Sequence, residues 1–217
     1  MLIEIIPVGP FQCNCIILGD EISKKGIIID PGDEADKILD IVKQNNLEII
    51  QILHTHAHLD HIGATRRVHQ ETQAPILIHK DDLWLYENLK LQGDLFGIPT
   101  EPVKPVNQFL SDGDIQKFGE QKLITLHTPG HTPGSVSFQI NEKVPVLFSG
   151  DTLFQGSIGR TDLWGGSYET ILKSIENRLL PLEESTKIFP GHGPQTTLWN
   201  EKKTNPFLKD LGNKPII

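Results

Sequence analysis

The sequence is short of several things, and each shortage excludes a class of protein. It has two cysteines in 217 residues, Cys13 and Cys15, two apart in what reads as a strand. Neighbours on one face of a strand cannot close a relaxed disulfide, so both are expected as small apolar residues in a reducing compartment. No basic run exceeds a pair (Lys24-Lys25, Arg66-Arg67, Lys202-Lys203), and 28 acids against 20 bases leave a net charge of −8. A nucleic-acid or anionic-membrane surface would need a basic footprint, so neither is expected as a partner. The apolar runs, such as 26–29 and 144–148, fall far short of the roughly 18 residues of a membrane span. The first residues, MLIEIIPVGPF, carry Glu4 and show no basic stretch or small-residue cleavage site, so a secretory leader is not expected and the protein reads as cytoplasmic.

What remains is an ordinary globular mix, 37% hydrophobic and 22% charged, read as one domain over 1–217 with a short tail from about 195. Short apolar runs alternate with helical patterns. Strands are expected at Leu2–Ile6, Cys15–Leu18, Gly26–Ile29, Ile49–Leu53, Ile76–His79, Leu123–Leu126, Val136–Ile140, Val146–Phe148 and Ile188–Phe189. Helices are expected at Glu34–Asn45, with Asp33 as N-cap, and at Ala64–Thr72, Asp81–Leu91 and Tyr168–Leu180. That order fits an α/β (α+β) chain with helices outside two mostly antiparallel or mixed sheets. Residues 92–108, with three prolines and two glycines, read as a long surface loop.

Chemistry concentrates at the ends of the strands. Thr55-His56-Ala57-His58-Leu59-Asp60-His61 places three imidazoles and a carboxylate within six residues, directly after an apolar strand. Imidazole and carboxylate suit divalent metals such as zinc, iron and manganese. Three later segments repeat the anatomy: Thr128-Pro129-Gly130-His131-Thr132-Pro133-Gly134, Ser149-Gly150-Asp151 and Pro190-Gly191-His192-Gly193-Pro194. Together they offer seven donors, too many for one open tetrahedral site and suited to two metals sharing a carboxylate. A closed structural site needs only four, so a non-catalytic metal module is disfavoured.

The set T-H-x-H-x-D-H at 55–61, H-T-P-G-H-T-P-G at 127–134, S-G-D at 149–151 and G-H-G at 191–193 resembles the metallo-β-lactamase-fold hydrolases. Within them it is most similar to the glyoxalase II (hydroxyacylglutathione hydrolase) branch, compact bacterial type. Gly156–Asp162 and Thr204–Leu208 resemble segments of that branch too. The resemblance implies a four-layer αββα sandwich. It also implies one metal on His56, His58 and His131, a second on Asp60, His61 and His192, and Asp151 bridging both. Asp30 would support the ligand loop from behind, and Asp60 would also act in catalysis. The implied cofactor is a pair of divalent ions, zinc first, with iron or manganese as alternatives. The implied reaction is hydrolysis of an S-acyl-glutathione-like thioester by a hydroxide held between the metals, with Arg160 gripping the thiol's charged arm.

Two departures stand out. Full-length glyoxalase II enzymes carry a C-terminal helical domain, whereas 25 residues follow His192 here, and Pro194 stands where that pattern tends to offer a tyrosine. The alternative within the fold is a persulfide dioxygenase using a single iron on His56, His131 and Asp151. His54 and His127 precede the ligand loops and are expected either to support them or to pack as strand ends, while His69 and His79 are expected as ordinary surface or core residues and the tryptophans Trp84, Trp164 and Trp199 as packing anchors.

Overall fold

The computed structural model describes residues 1–209 and 211. One six-stranded sheet is built from β1 (Leu2–Val8), β2 (Cys13–Gly19), β3 (Lys25–Ile29), β4 (Glu48–Leu53), β5 (Ile76–His79) and β6 (Gln108–Leu110), in that spatial order. Its first three strands run antiparallel and the rest parallel. The second sheet takes β7 (Ile115–Phe118), β8 (Gln121–His127), β9 (Val136–Ile140) and β10 (Val146–Gly150). A small hairpin, β11 (Leu153–Phe154) and β12 (Ser157–Ile158), intervenes before β13 (Lys187–Pro190) and β14 (Thr196–Thr197) complete it in the order β14-β13-β10-β9-β8-β7.

Strand periodicity explains the layering, because alternate side chains point to opposite faces. Ile16, Leu18, Ile27 and Ile29 meet Phe118, Val136, Phe138 and Phe148 between the sheets. Their neighbours Ile17 and Ile28 face outward, onto a cluster that includes Ile38, Val68 and Leu85. These come from helices α1 (Ala35–Gln44), α3 (Thr65–Thr72) and α4 (Leu83–Glu87); the short α2 (Leu59–Ile62) lies ahead of α3, and α5 (Leu89–Phe96) follows α4. On the other side Leu147 and Ile188 pack on Ile171, Ile175 and Leu198, from α6 (Tyr168–Ser174), the wider turn after it and α7 (Leu198–Thr204). Three cores between four layers make the αββα sandwich. Among the described residues no helix is long and apolar enough to cross a membrane.

Several local expectations need correction. Asp33 does not cap α1: Glu34 holds that position at φ 50° with no side-chain cap bond, while Asp33 Oδ1 accepts from the Glu34 N–H. The helix expected over Asp81–Leu91 is broken at Asn88, whose side chain and backbone N–H both donate to the Trp84 carbonyl. Helix α5 then runs to Phe96, so the supposed loop at 92–108 opens with helix. Past Ser174 the expected long helix widens into a π turn over Ile175–Leu179. The edge strands β6 and β7 and the helix α7 carry too short an apolar pattern to be read locally. Part of the tail expected from about 195 lies outside the described residues.

Candidate metal centre

Four strands, β4 and β8 of opposite sheets and the adjacent β10 and β13, all end at one edge of the sandwich, and each is followed by a turn carrying donors. His56 and His58 follow β4, and Asp60 and His61 lie on α2. His131 follows β8, Asp151 leaves β10 and His192 leaves β13. These seven residues are brought together as two adjoining clusters, His56–His58–His131 and Asp60–His61–His192, with Asp151 also within reach of His56 and His61. In the first cluster His131 Nε2 lies 2.9 Å from His58 Nδ1 and 3.2 Å from His56 Nε2. In the second, His192 Nε2 is 3.2 Å from both His61 Nε2 and Asp60 Oδ2. Asp151 reaches both: Oδ2 is 3.5 Å from His131 Nε2, and Oδ1 is 3.5 Å from His61 Nε2.

The far nitrogens decide the tautomers. His131 Nδ1 is 2.7 Å from the Arg160 carbonyl, His192 Nδ1 is 3.0 Å from the Phe11 carbonyl, and His61 Nδ1 is 3.0 Å from Asp30 Oδ2. Each of these acceptors takes an N–H, which leaves Nε2 as a bare lone pair directed into the cluster. Bare nitrogens facing one another at hydrogen-bond distance, and a buried Asp151 Oδ1 with no hydrogen-bond partner, are poorly satisfied without a cation between them. The donor set of imidazoles and carboxylates therefore fits divalent metals.

The electrostatics agree. Burial, reinforced by the neighbouring imidazoles, holds His56 well below its ordinary 6.5 and His58 at about 3, so both stay neutral. Burial would raise Asp60, but His61 and His192 outweigh it and bring the carboxyl well below the usual range. Burial opposes a proton on His61, yet Cys13 and the carboxylates of Asp151, Asp60 and Asp30 overcome it and raise this pKa well above 6.5. The second cluster thus attracts positive charge, which a proton or a metal ion can satisfy.

Asp30 sits behind this assembly, 1% exposed and at φ 52°. It accepts from the Thr55 N–H at 2.7 Å and the Thr55 hydroxyl at 2.6 Å, and so braces the start of the His-rich loop. Arg160 lines the same pocket as His58, Asp60 and His131. Its guanidinium forms two hydrogen bonds to Asp162, at 2.7 and 2.8 Å, and its carbonyl is what orients His131.

A family profile described as the metallo-beta-lactamase superfamily matches residues 8–192. The chain belongs to that superfamily. Hydroxyacylglutathione hydrolase GloC of Haemophilus influenzae is 43% identical over 210 residues, covering 96% of this chain and 98% of that protein. Among solved structures, BLEG-1 B3 metallo-beta-lactamase superposes with a TM-score of 0.89 at 40% identity, over 96% of this chain and 100% of that one. TTHA1623 in a di-iron-bound form gives 0.86 at 40% identity over 94% and 100%, and ETHE1 from Myxococcus xanthus gives 0.80 at 26% identity over 95% and 84%.

For this metallo-beta-lactamase-fold chain, sequence reasoning missed the residues that hold the ligand loops. Asp82, fully buried, accepts from the Ala57 N–H (3.0 Å), the Thr132 hydroxyl (2.8 Å) and the Gly134 N–H (2.6 Å), tying the loop of His56 and His58 to that of His131. Gln92, on α5, accepts from the Leu59 N–H and donates to the Ala57 and Leu85 carbonyls. Asn14 donates to the carbonyls of Pro190 and Gly193, on either side of His192. Cys13 Sγ lies 3.4 Å from His61 Nδ1, and burial pushes its thiol up to about 12. Trp164 stands against His58, with ring centroids 6.1 Å apart.

A fourth grouping, His79, Asp81 and His127, is of another kind. The two rings stack at 4.1 Å and 13°, so their in-plane lone pairs run parallel instead of converging, and His127 Nε2 is engaged with the Pro133 carbonyl.

Proposed function

We propose that this protein is a binuclear metal-dependent thioester hydrolase acting on S-acyl-glutathione-like substrates. The observation that carries the reading is the pair of donor clusters sharing Asp151 on the floor of one pocket, lined by His58, Asp60, His131, Asp151 and His192. The 43% identity to GloC across nearly the whole of both chains supports the substrate class.

Divalent cations held by His56, His58, His131, Asp151, Asp60, His61 and His192 would supply Lewis acidity toward an acyl carbonyl and lower the pKa of water. Zinc suits the donors, and iron or manganese would be accepted by the same set. The chain's own residues do the rest. Asp60, held ionised by His61 and His192 and lining the pocket, orients water by accepting a hydrogen bond at a carboxylate oxygen. The Arg160 and Phe11 carbonyls and Asp30 keep His131, His192 and His61 in one tautomer. A thioester suits such a site because its thiolate leaves without an added proton. Arg160 would contact a charged thiol arm with the N–H groups that Asp162 leaves open.

The test is hydrolysis of S-D-lactoylglutathione by protein reconstituted separately with zinc, iron and manganese, followed by loss of thioester absorbance. Turnover supports the reading. Two bound ions per chain without cleavage of this or any other thioester would refute it. The likeness to ETHE1 is why oxygen uptake with glutathione persulfide belongs in the same experiment. A single iron on His56, His131 and Asp151 would leave Asp60, His61 and His192 gathered with no task, and that favours the hydrolase.

A further inference from the structure

The pocket over the two donor clusters, about 440 Å³, has a rim that the hydrolytic chemistry does not use. Phe11, Phe96, Phe154, Leu163 and Trp164 line it. Phe11 and Phe96 meet edge to face across the opening, with centroids 5.8 Å apart at 78°, and remain 41% and 40% exposed. Aromatic edges left this open at a rigid position are surface that a ligand can cover.

The rim is built on the same hydrogen bonds that position the donors. Phe11 supplies the carbonyl that accepts from His192 Nδ1. Phe96 lies one helical turn past Gln92, which grips the backbone of Ala57 and Leu59. Leu163 and Trp164 follow Arg160, whose carbonyl accepts from His131 Nδ1. The aromatic groups are therefore fixed relative to the reacting centre.

Polar side chains at the rim are few. Apart from the metal-donor candidates, Arg160 is the only charged residue among those lining the pocket, and two of its five N–H groups are held by Asp162. The Gln92 amide is fully used on backbone groups. A charged substrate group has only Arg160 and Ser157 to pair with along this rim, whereas an aryl or alkyl group would cover Phe11, Phe96 and Trp164 with no polar group left unpaired.

We infer that the preferred thioester carries an apolar arm, aryl or alkyl, seated against Phe11, Phe96 and Trp164, and that these three side chains set specificity. The inference rests on the thioester-hydrolase reading and narrows its substrate class. The apolar group can belong to the acyl or the thiol half, and the experiment separates the two.

Metal-reconstituted full chain is assayed with four thioesters, pairing D-lactoyl or phenylacetyl with glutathione or benzyl mercaptan. At least one apolar replacement should raise kcat/KM about 10-fold or more over S-D-lactoylglutathione, the range a hydrophobic pocket discriminates, and the half that carries the gain faces the rim. Phe96→Ala and Phe11→Ala should bring that ratio back toward one; the latter keeps the Phe11 carbonyl on His192. S-D-lactoylglutathione matching or exceeding all three apolar esters would overturn the inference. Binding is measured separately, by calorimetry with a non-hydrolysable benzyl phenethyl thioether against S-methylglutathione. Tighter thioether binding without cleavage of any thioester would sink the hydrolase reading while leaving the apolar site standing. No preference for the thioether would sink the site itself.

Discussion

Asp82 gives the sharpest test of how the centre is assembled. It accepts three hydrogen bonds in full burial, from groups flanking His56, His58 and His131. In Asp82→Asn only one oxygen survives. If it stays on the Ala57 N–H and the Thr132 hydroxyl, the new NH₂ faces the Gly134 N–H across the present 2.6 Å, donor against donor. If the amide flips, the Ala57 N–H is left bare instead. Either way a buried N–H loses a charged acceptor, a cost of about 1.5–3 kcal/mol. Burial already raises the Asp82 pKa, against the three donors that lower it, so the neutral amide recovers part of that loss. A net of about 2 kcal/mol corresponds, for a chain of this size, to a fall in Tm of about 4–8 °C. Asp82→Ala, which leaves the Ala57 and Gly134 N–H groups bare while the Thr132 hydroxyl keeps Ser135, should cost about 3–5 kcal/mol. Because the displaced backbone carries the ligands of the first cluster, Asp82→Asn should also weaken metal binding there by about 10–100-fold. The assays are thermal unfolding of chelator-treated and zinc-loaded protein by circular dichroism, and zinc competition with a chromophoric chelator. An Asn variant that unfolds with the parent and binds zinc as tightly would refute the tie-bar role.

Three further outcomes are expected. Asp60→Asn, which replaces a charged donor of the second cluster with a neutral one, should weaken metal binding there and lower kcat by about 10–100-fold; metal analysis beside steady-state kinetics checks this, and unchanged metal content with full activity would remove Asp60 from the site. In Gly191→Ala the new Cβ would stand 2.1 Å from Asp151 Oδ1 and 2.9 Å from His61 Cε1, so both metal content and stability should drop, by about 1–3 kcal/mol for the overpacking alone; an unchanged metal stoichiometry would contradict the packing seen at the bridging carboxylate. Metal-free protein should be most stable near pH 6.5. Below it, buried His54 (about 4) and His58 (about 3) stay neutral in the fold while their unfolded counterparts take up protons, so stability falls with pH. Above it, the stabilisation from protonated His61 and His192, whose pKa values are raised, is lost as pH rises through them. Unfolding midpoints across pH with chelator present measure this, and a flat profile would contradict those shifts.

Two sheets with helices outside them were legible from the short apolar runs and the helical stripes, and the αββα order came from the resemblance; a continuous run such as Ile16, Ile17 and Leu18 does not itself tell its two buried faces apart. The seven donors were legible too, since His56, His58, Asp60 and His61 are grouped by the chain itself, and His131, Asp151 and His192 each follow a short apolar run ending in glycine-rich turns. Local pattern failed where packing overrode it. Asn88 breaks one expected helix by bonding back to Trp84, and helix α5 persists through a glycine at 93 because Gln92, one residue earlier, is anchored to the His-rich loop.

The residue types, their spacing and the strand that precedes each donor were thus determined by the sequence alone, because they rest on covalent neighbours and a two-residue period. What only the tertiary structure decided is which distant groups hold those donors in place. Asn14 reaches carbonyls 176 and 179 residues away, and Asp82 joins two loops 25 and 50 residues distant. Arg160 contributes through a carbonyl that every residue possesses. No periodicity marks such partners, since a hydrogen bond to a loop depends on which strand ends the two sheets bring side by side.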